Sequence, residues 1–419
     1  LIFQWLIFRQ FNEADETFVI LNMLSQRQLF LRHLAQTSPS PLLLEMDRAE
    51  GIYIFDIQGK KYIDLISGIG VSNIGHRHPK VLEAIHKQLD KYLHLMVYGE
   101  YVQSPQVLLA QAIAQTLPEK LSSVYLVNSG SEAVEGALKL AKRHTGRANF
   151  VSFKKAYHGS SHGALSVGGE ETFKQAYRPL LPGVKSLYFG VEAELDAIDE
   201  QTAAVIVETV QGEAGVRTAC SSYFKALRSK CDEVGTLLIF DEIQSGFGRT
   251  GKIWAFEHYG VEPDILLSAK GMGGGMPIGA FITSKSIMDS LSHNPILGHI
   301  TTFGGHPVSA VASLATLNIL LQEQLHLEVP QKSARFISNL KHPAIKEIRA
   351  AGLMMAVEFE SFDLLKKIID EAINRGLITD WFLFCDNSMR IAPPLTISME
   401  QIDEACGIIL ESINKVTSA

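Results

Sequence analysis

The sequence predicts an α/β fold, with a large domain built on a mainly parallel sheet of seven strands and a smaller α+β domain. Three observations predict it. Short β-type runs alternate with helical segments through the middle of the chain, the order that parallel strands joined by helical crossovers require. Polar residues of chemical interest stand just after four of those runs, and open α/β sheets bind ligands outside the carboxyl ends of their strands. Beyond about residue 320 the alternation gives way to amphipathic helices separated by short strands, which marks a second unit.

The strand runs are Val124–Val127, Asn149–Phe153, Val184–Phe189, Ala203–Val207, Thr236–Phe240, Ile265–Ser268 and Ala280–Thr283. Helical spacing is clear in Glu132–Arg143, where Val134, Ala137, Leu138 and Ala141 fall on one face, and it recurs in Tyr223–Val234 and Val308–Leu321. In the C-terminal part, Leu353–Glu358 and Met389–Ile391 read as short strands. The expected boundaries are an extension outside the fold at 1–22, a segment joining the small domain at 23–72, the large domain at 73–318 and the small domain at 319–419. LIFQWLIF at 1–8 is apolar, but no basic residue precedes it and Glu13, Asp15 and Glu16 follow, unlike a signal peptide. Met23 is therefore the expected natural start.

Composition narrows the function classes. The 419 residues are 46% hydrophobic and 20% charged, with 45 acids against 38 bases and a formal charge of −7. Such a balance fits an ordinary globular protein and lacks the basic face of a nucleic-acid binder. No apolar run approaches the roughly 20 residues of a membrane helix. Cys220, Cys231, Cys385 and Cys406 stand far apart with no CxxC pair, which argues against a disulfide framework or structural zinc and for a reducing cytoplasm. His76-Arg77-His78 holds the closest histidine pair, but no spaced ligand set converges there, so no metal is expected.

Three segments carry chemistry. In LVNSGSEAVEGALKLAKRHTGR, 126–147, an apolar strand runs through Asn128-Ser129-Gly130 directly into a helix. Ser129 and Glu132 have capping-box spacing, and Gly130 lets an anion approach the free amides of the first turn. The segment reads either as a phosphate site or as a plain capped helix. In TLLIFDEIQSGFGRTG, 236–251, five apolar residues deliver Asp241 to a buried strand end. A buried carboxylate needs a partner, here a protonated ring nitrogen, a metal or an arginine. In DILLSAKGMGGGMPIGA, 264–280, Lys270 closes an apolar strand before a glycine-rich turn. Desolvation would lower its basicity and make it a nucleophile able to form imines; otherwise it is a snorkelling lysine. Glu208 ends a fourth run on the same predicted edge.

Taken together these segments resemble the class III, pyridoxal-phosphate-dependent aminotransferases of fold type I. GIYIFDIQGKKYIDLISGIGVSNIGHRHP at 51–79 is similar to that family's opening signature, and SFKKAYHGSSHGALSVGG, AAVIVETVQGEAG, the Asp241 and Lys270 segments, HITTFGGHP and MRIAPPLTIS follow in the family's order. The resemblance spans about residues 40–415. It implies pyridoxal 5'-phosphate held covalently by Lys270, which would also shuttle the proton at the reacting carbon. Asp241 would pair with the pyridine nitrogen and keep it protonated. Gln244 would donate to the ring hydroxyl and Tyr157 would stack on the ring, with His158 and Gly159 shaping that turn. Ser129, Gly130 and Ser131 would hold the phosphate, Glu208 would line the cofactor site, and Thr302 would reach the phosphate from the other subunit of a homodimer.

The same resemblance assigns the substrate end. Arg390 would bind the α-carboxylate of glutamate or 2-oxoglutarate, and Glu213 would neutralise it while an ω-amine occupies the site. Ile69 stands where ornithine aminotransferases carry a tyrosine, Ser160-Ser161 replaces a frequent Arg-Thr, and His306 replaces the usual Asn. These departures spare the cofactor site but leave the donor open among acetylornithine, 4-aminobutyrate, ornithine or another diamine acid. An aminomutase or a decarboxylase of the same scaffold is the alternative activity.

Overall fold

The computed structural model describes residues 24–97 and 99–418. The expectation for residues 1–22 lies outside the described residues. In chain order the strands are β1 (Met46–Glu50), β2 (Tyr53–Asp56), β3 (Lys61–Asp64), β4 (Ser123–Val127), β5 (Asn149–Phe153), β6 (Val184–Leu187), β7 (Thr202–Glu208), β8 (Leu237–Asp241), β9 (Ile265–Ser268), β10 (Gly279–Thr283), β11 (Glu347–Ala350), β12 (Met355–Glu358), β13 (Leu377–Ile378), β14 (Trp381–Phe382) and β15 (Cys385–Ile391). Among the described residues, the stretch up to Arg48 together with Ile54–Lys61 packs as one unit, and Ala49–Tyr53 together with the residues from Tyr62 onward packs as the other. Among its described residues, the first unit carries the helix Gln26–His33, capped by Ser25.

The second unit contains the expected sheet. Its seven strands run in the order β4-β10-β9-β8-β7-β5-β6. β10 pairs antiparallel with both β4 and β9, while the β9-β8-β7-β5-β6 pairings are all parallel. Each run read from the sequence is a strand, with ends shifted by a residue or two. β7 and β10 are buried along their whole length, as strands covered on both faces must be.

The helix Gly130–Thr145 shows why the edge beyond β4 is well defined. Its buried face is Ala133, Val134, Ala137, Leu138, Leu140 and Ala141, packed with Phe150, Ile206, Ile239 and Phe281 in one core. Gly146, at φ 70°, ends it in the left-handed conformation that glycine adopts without strain. Gly136 brings the helix against β10, since a Cβ there would lie 2.3 Å from the Phe281 ring.

The C-terminal part forms an antiparallel sheet, β11-β12-β15-β14, with the helices Phe362–Asn374 and Met399–Thr417 beside it. β13 pairs in parallel with β3 through Leu377–Ile63 and Ile378–Asp64. Arg249 is fully buried and donates to the Leu353 and Pro393 carbonyls and to Asn73 Oδ1, pinning the start of the chain's chemistry to its end. Burial pulls its pKa down to about 9. Among the described residues no helix is long and apolar enough to cross a membrane, and no cluster of three or more His, Cys, Asp or Glu could hold a metal ion.

The Gly136 contact makes a stability prediction. Gly136→Val would overpack a ring that stacks on Tyr125 at 4.6 Å and cannot retreat freely. Overpacking costs of about 1–3 kcal/mol should appear as a lower urea midpoint with an unchanged slope. An unchanged midpoint would mean that the helix can slide on β10.

Candidate active site

The carboxyl ends of β4, β7, β8 and β9 open onto one cavity of about 460 Å³. Its lining includes Asn128, Ser129, Gly130 and Ser131 after β4, Glu208 ending β7, Asp241 ending β8 with Gln244 beyond it, and Lys270 after β9. Tyr157, His158 and Gly159 enter from the segment after β5, and Glu213 from the loop after β7. The four strand ends predicted to share an edge do share it.

Lys270 follows the fully buried strand β9 and has a positive φ of 46°. Only the packed turn around it keeps a β-unbranched side chain in that left-handed conformation. The glycine-rich sequence supplies that turn, with Gly274 and Gly275 also at positive φ. Burial pushes the Lys270 ammonium below the ordinary lysine range; Glu213, Asp241 and Glu208 oppose the shift, and Arg390 adds to it. A less basic amine on a rigid turn is a nucleophile.

Asp241 and Glu208 are adjacent carboxylates on paired strands, in register across β7 and β8. Asp241 Oδ2 accepts from His158 Nδ1 at 2.7 Å, and Oδ1 accepts from the Ile243 amide at 3.0 Å. His158, expected at the cofactor site where it shapes its turn, lines the cavity and is also the buried partner of Asp241. Its own Nε2 has no hydrogen-bond partner. Glu208 accepts from the amides of Tyr157 at 3.1 Å and Gly212 at 3.2 Å. Burial raises its carboxyl well above the usual range and nearby Asp241 adds to this, while the two amides only partly offset the rise.

At the opposite end stands the start of the Gly130–Thr145 helix. Ser129 accepts from the Glu132 amide at 3.2 Å, as expected. The reciprocal half of the capping box is absent, because Glu132 Oε2 accepts instead from the Asn128 amide and side-chain nitrogen at 2.8 and 2.9 Å. The amides of Gly130 and Ser131 have no intrahelical acceptor at a helix start, and both residues line the cavity. Gly159, at φ 126°, packs on this turn so closely that a Cβ would lie 2.2 Å from Ser131 Oγ.

The substrate end is built by a buried ion pair. Arg390 on β15 donates from Nη1 to Glu213 Oε1 at 3.0 Å and from Nη2 to Glu213 Oε2 at 3.1 Å, a two-pronged fit. Leu383 N also donates to Glu213 Oε2 at 3.1 Å. Burial alone would raise the Glu213 carboxyl, but Arg390 reverses this and holds it below its ordinary value. Burial likewise works against the Arg390 cation, yet Glu213 and Asp380 raise its pKa. Ile69, at φ 64°, borders a small void with Gln244 and Arg390. Thr302 is exposed and does not line this cavity; the neighbouring Thr301 hydroxyl accepts from Asn128 Nδ2 at 3.0 Å.

Sequence reasoning missed Asp380, which accepts from Arg390 Nε at 2.8 Å. Its signal was an acid between Thr379 and Trp381 in an otherwise apolar run, ten positions before Arg390. Only the β14–β15 hairpin puts the two side by side.

Comparison with known proteins gives one family. Residues 34–413 match the family described as aminotransferase class-III. Among solved structures, an ornithine aminotransferase from Toxoplasma gondii ME49 is 27% identical, with 97% of this chain and 100% of that one covered and a TM-score of 0.87. A transaminase from the marine bacterium Virgibacillus is also 27% identical, covering 94% and 99% with a TM-score of 0.87. An amine transaminase from an uncultivated Pseudomonas species, in its PLP-bound form, is 28% identical, covering 92% and 97% with a TM-score of 0.83.

The lowered basicity of Lys270 has a measurable sign. A depressed pKa means that the neutral amine is present at lower pH than on a surface lysine. In protein freed of any bound aldehyde, an amine-reactive reagent should label Lys270 at a pH where exposed lysines remain largely protonated, as peptide mass spectrometry would read. Labelling only at the alkaline pH of the other lysines would contradict the desolvation.

Proposed function

This chain belongs to the class-III aminotransferases, enzymes that use pyridoxal phosphate, and we propose that it transfers an amino group from an ω-amine donor to 2-oxoglutarate in two ping-pong half-reactions. The observation that carries this reading is the Glu213–Arg390 pair, closed and buried in the wall beside Lys270. A closed pair presents no free cation, so a primary amine with no carboxylate next to it can enter. Opening the pair bares a fork of two N–H donors for the α-carboxylate of 2-oxoglutarate or glutamate.

The residues of the cavity fit the cofactor. Gly130 and Ser131 offer amides to its phosphate, with Ser129 capping the same turn, and Thr302 would complete that end from the second subunit of a homodimer. Asp241, backed by His158, is placed to hold a proton on the ring nitrogen. Gln244 would donate to the ring hydroxyl and Tyr157 would stack on the ring, while Glu208 holds the Tyr157 and Gly212 backbone. Bound pyridoxal phosphate supplies an electron sink for charge that develops at the reacting carbon. Lys270 Nζ would hold the cofactor covalently and would move the proton at that carbon. Ile69 shapes the donor side. Acetylornithine, 4-aminobutyrate or a similar amine is the donor class, and a cytoplasmic enzyme of amino-acid metabolism is the setting.

Borohydride reduction of the holoenzyme should trap the cofactor on Lys270 and on no other lysine, as peptide mapping would read. Asp241→Asn should keep the fold and the cofactor but slow proton removal severely. Near-normal turnover in that variant would show that another group protonates the ring.

The pair is tested by single-turnover kinetics of each half-reaction. Glu213→Ala should spare 2-oxoglutarate and penalise the ω-amine, which would then face an uncompensated guanidinium; breaking a deeply buried pair costs about 3–5 kcal/mol. Arg390→Ala should do the reverse, weakening 2-oxoglutarate and glutamate far more than the amine. Equal losses in both halves would reduce the two residues to a structural role.

A further inference from the structure

The Arg390 guanidinium has five N–H donors, and the structure divides them between two jobs. Nη1 and Nη2 meet the two oxygens of Glu213. Nε donates to Asp380 Oδ1 at 2.8 Å, and Nη2 also donates to the Trp381 carbonyl at 3.1 Å. Phe382 lies against one face of the group, with its ring centroid 4.4 Å from Cζ. The backbone locks the same hairpin, because Arg390 N donates to the Asp380 carbonyl at 2.9 Å and Thr379 Oγ1 donates to the Arg390 carbonyl at 2.5 Å.

We propose that Asp380 is a positioning residue for carboxylate recognition: it clamps the Nε edge of Arg390 so that, when Glu213 leaves, the two terminal nitrogens stay aimed at the incoming α-carboxylate. This rests on the reading that Arg390 receives that carboxylate. The geometry separates the two acids cleanly. Glu213 occupies the parallel N–H pair that a substrate carboxylate would use, whereas Asp380 occupies the remaining edge and leaves that pair free.

The charge arithmetic gives the second half of the proposal. Arg390 with Asp380 is neutral, and adding Glu213 makes the cluster carry one net negative charge. Replacing Glu213 by a substrate carboxylate restores the same net charge, so the site exchanges one carboxylate for another. An arginine without Asp380 would become a bare buried cation each time Glu213 moved away, which is costly. Asp380 thus keeps the opening step accessible.

The test uses the holoenzyme in its aminated form, with pyruvate and 2-oxoglutarate as acceptors and butyraldehyde as an acceptor that has no carboxylate beside its carbonyl. Asp380→Ala removes both the charge and the Nε acceptor; Asp380→Asn keeps an oxygen for Nε without the charge. In Asp380→Ala the KM for both keto acids should rise about tenfold, the size expected for losing a charge-assisted hydrogen bond. Its kcat should stay within about threefold, and butyraldehyde kinetics should be unchanged to the same extent. Asp380→Asn should return the keto-acid KM to near the wild-type value, because the fork stays aimed and the lost charge strengthens the hold on Glu213 and on the substrate carboxylate alike. An unchanged KM in Asp380→Ala, failure of Asn to rescue, or matching losses with butyraldehyde would overturn the proposal. Wild-type turnover of pyruvate but not 2-oxoglutarate would defeat the acceptor reading alone, since pyruvate still reports on Asp380. Refusal of both acids would overturn the carboxylate role of Arg390 and this proposal with it.

Discussion

Glu208, Glu213, Asp241 and Lys270 line one pocket, and Arg390 pairs with Glu213 in its wall. Burial disfavours every one of these charges taken singly. The pocket is stable only because the groups are arranged as partners: Glu213 against Arg390, Arg390 against Asp380, Asp241 against His158, and the Glu208 oxygens against two amides. Burial is what lowers the basicity of Lys270, against the opposing pull of Glu213, Asp241 and Glu208. Its reactivity is therefore a property of the whole cluster.

The sheet makes that cluster possible. Parallel strands with buried apolar interiors can end in charged residues at one edge without exposing the backbone that carries them. In-register pairing of β7 with β8 brings Glu208 and Asp241 to the same level, and β9 delivers Lys270 two residues beyond its last strand position. The antiparallel strand β10 then carries the chain back past β4, next to the helix start that lines the cavity. The chemistry is thus spread over roughly 150 residues of sequence but held by neighbouring strands.

The C-terminal sheet contributes differently. Its hairpin holds Arg390 and Asp380 together, and its Leu383 amide helps to hold Glu213, so both members of the Glu213–Arg390 pair are fastened to one scaffold. Arg249 ties Leu353 and Pro393 to Asn73, which keeps the strand bearing Arg390 in place from below. Glu213 and Arg390 are thus supported from both sides.

Local chemistry was legible in the sequence wherever a residue's role depends on its own neighbours along the chain. Apolar runs bounded by turns located all seven strands of the large sheet, because a buried strand announces itself by uninterrupted apolar residues. Asp241 and Lys270 stood out because a charge at the end of such a run must have a reason. Other features came from folding alone. The bond from His158 to Asp241, the diversion of Glu132 from Ser129 to Asn128, and the clamp of Asp380 on Arg390 each depend on side-chain direction after distant segments have met. Residue spacing specifies periodicity and burial, which act over a few residues; partners for a buried charge are chosen across the tertiary structure, where desolvation makes some group answer each charge but leaves its identity to the packing.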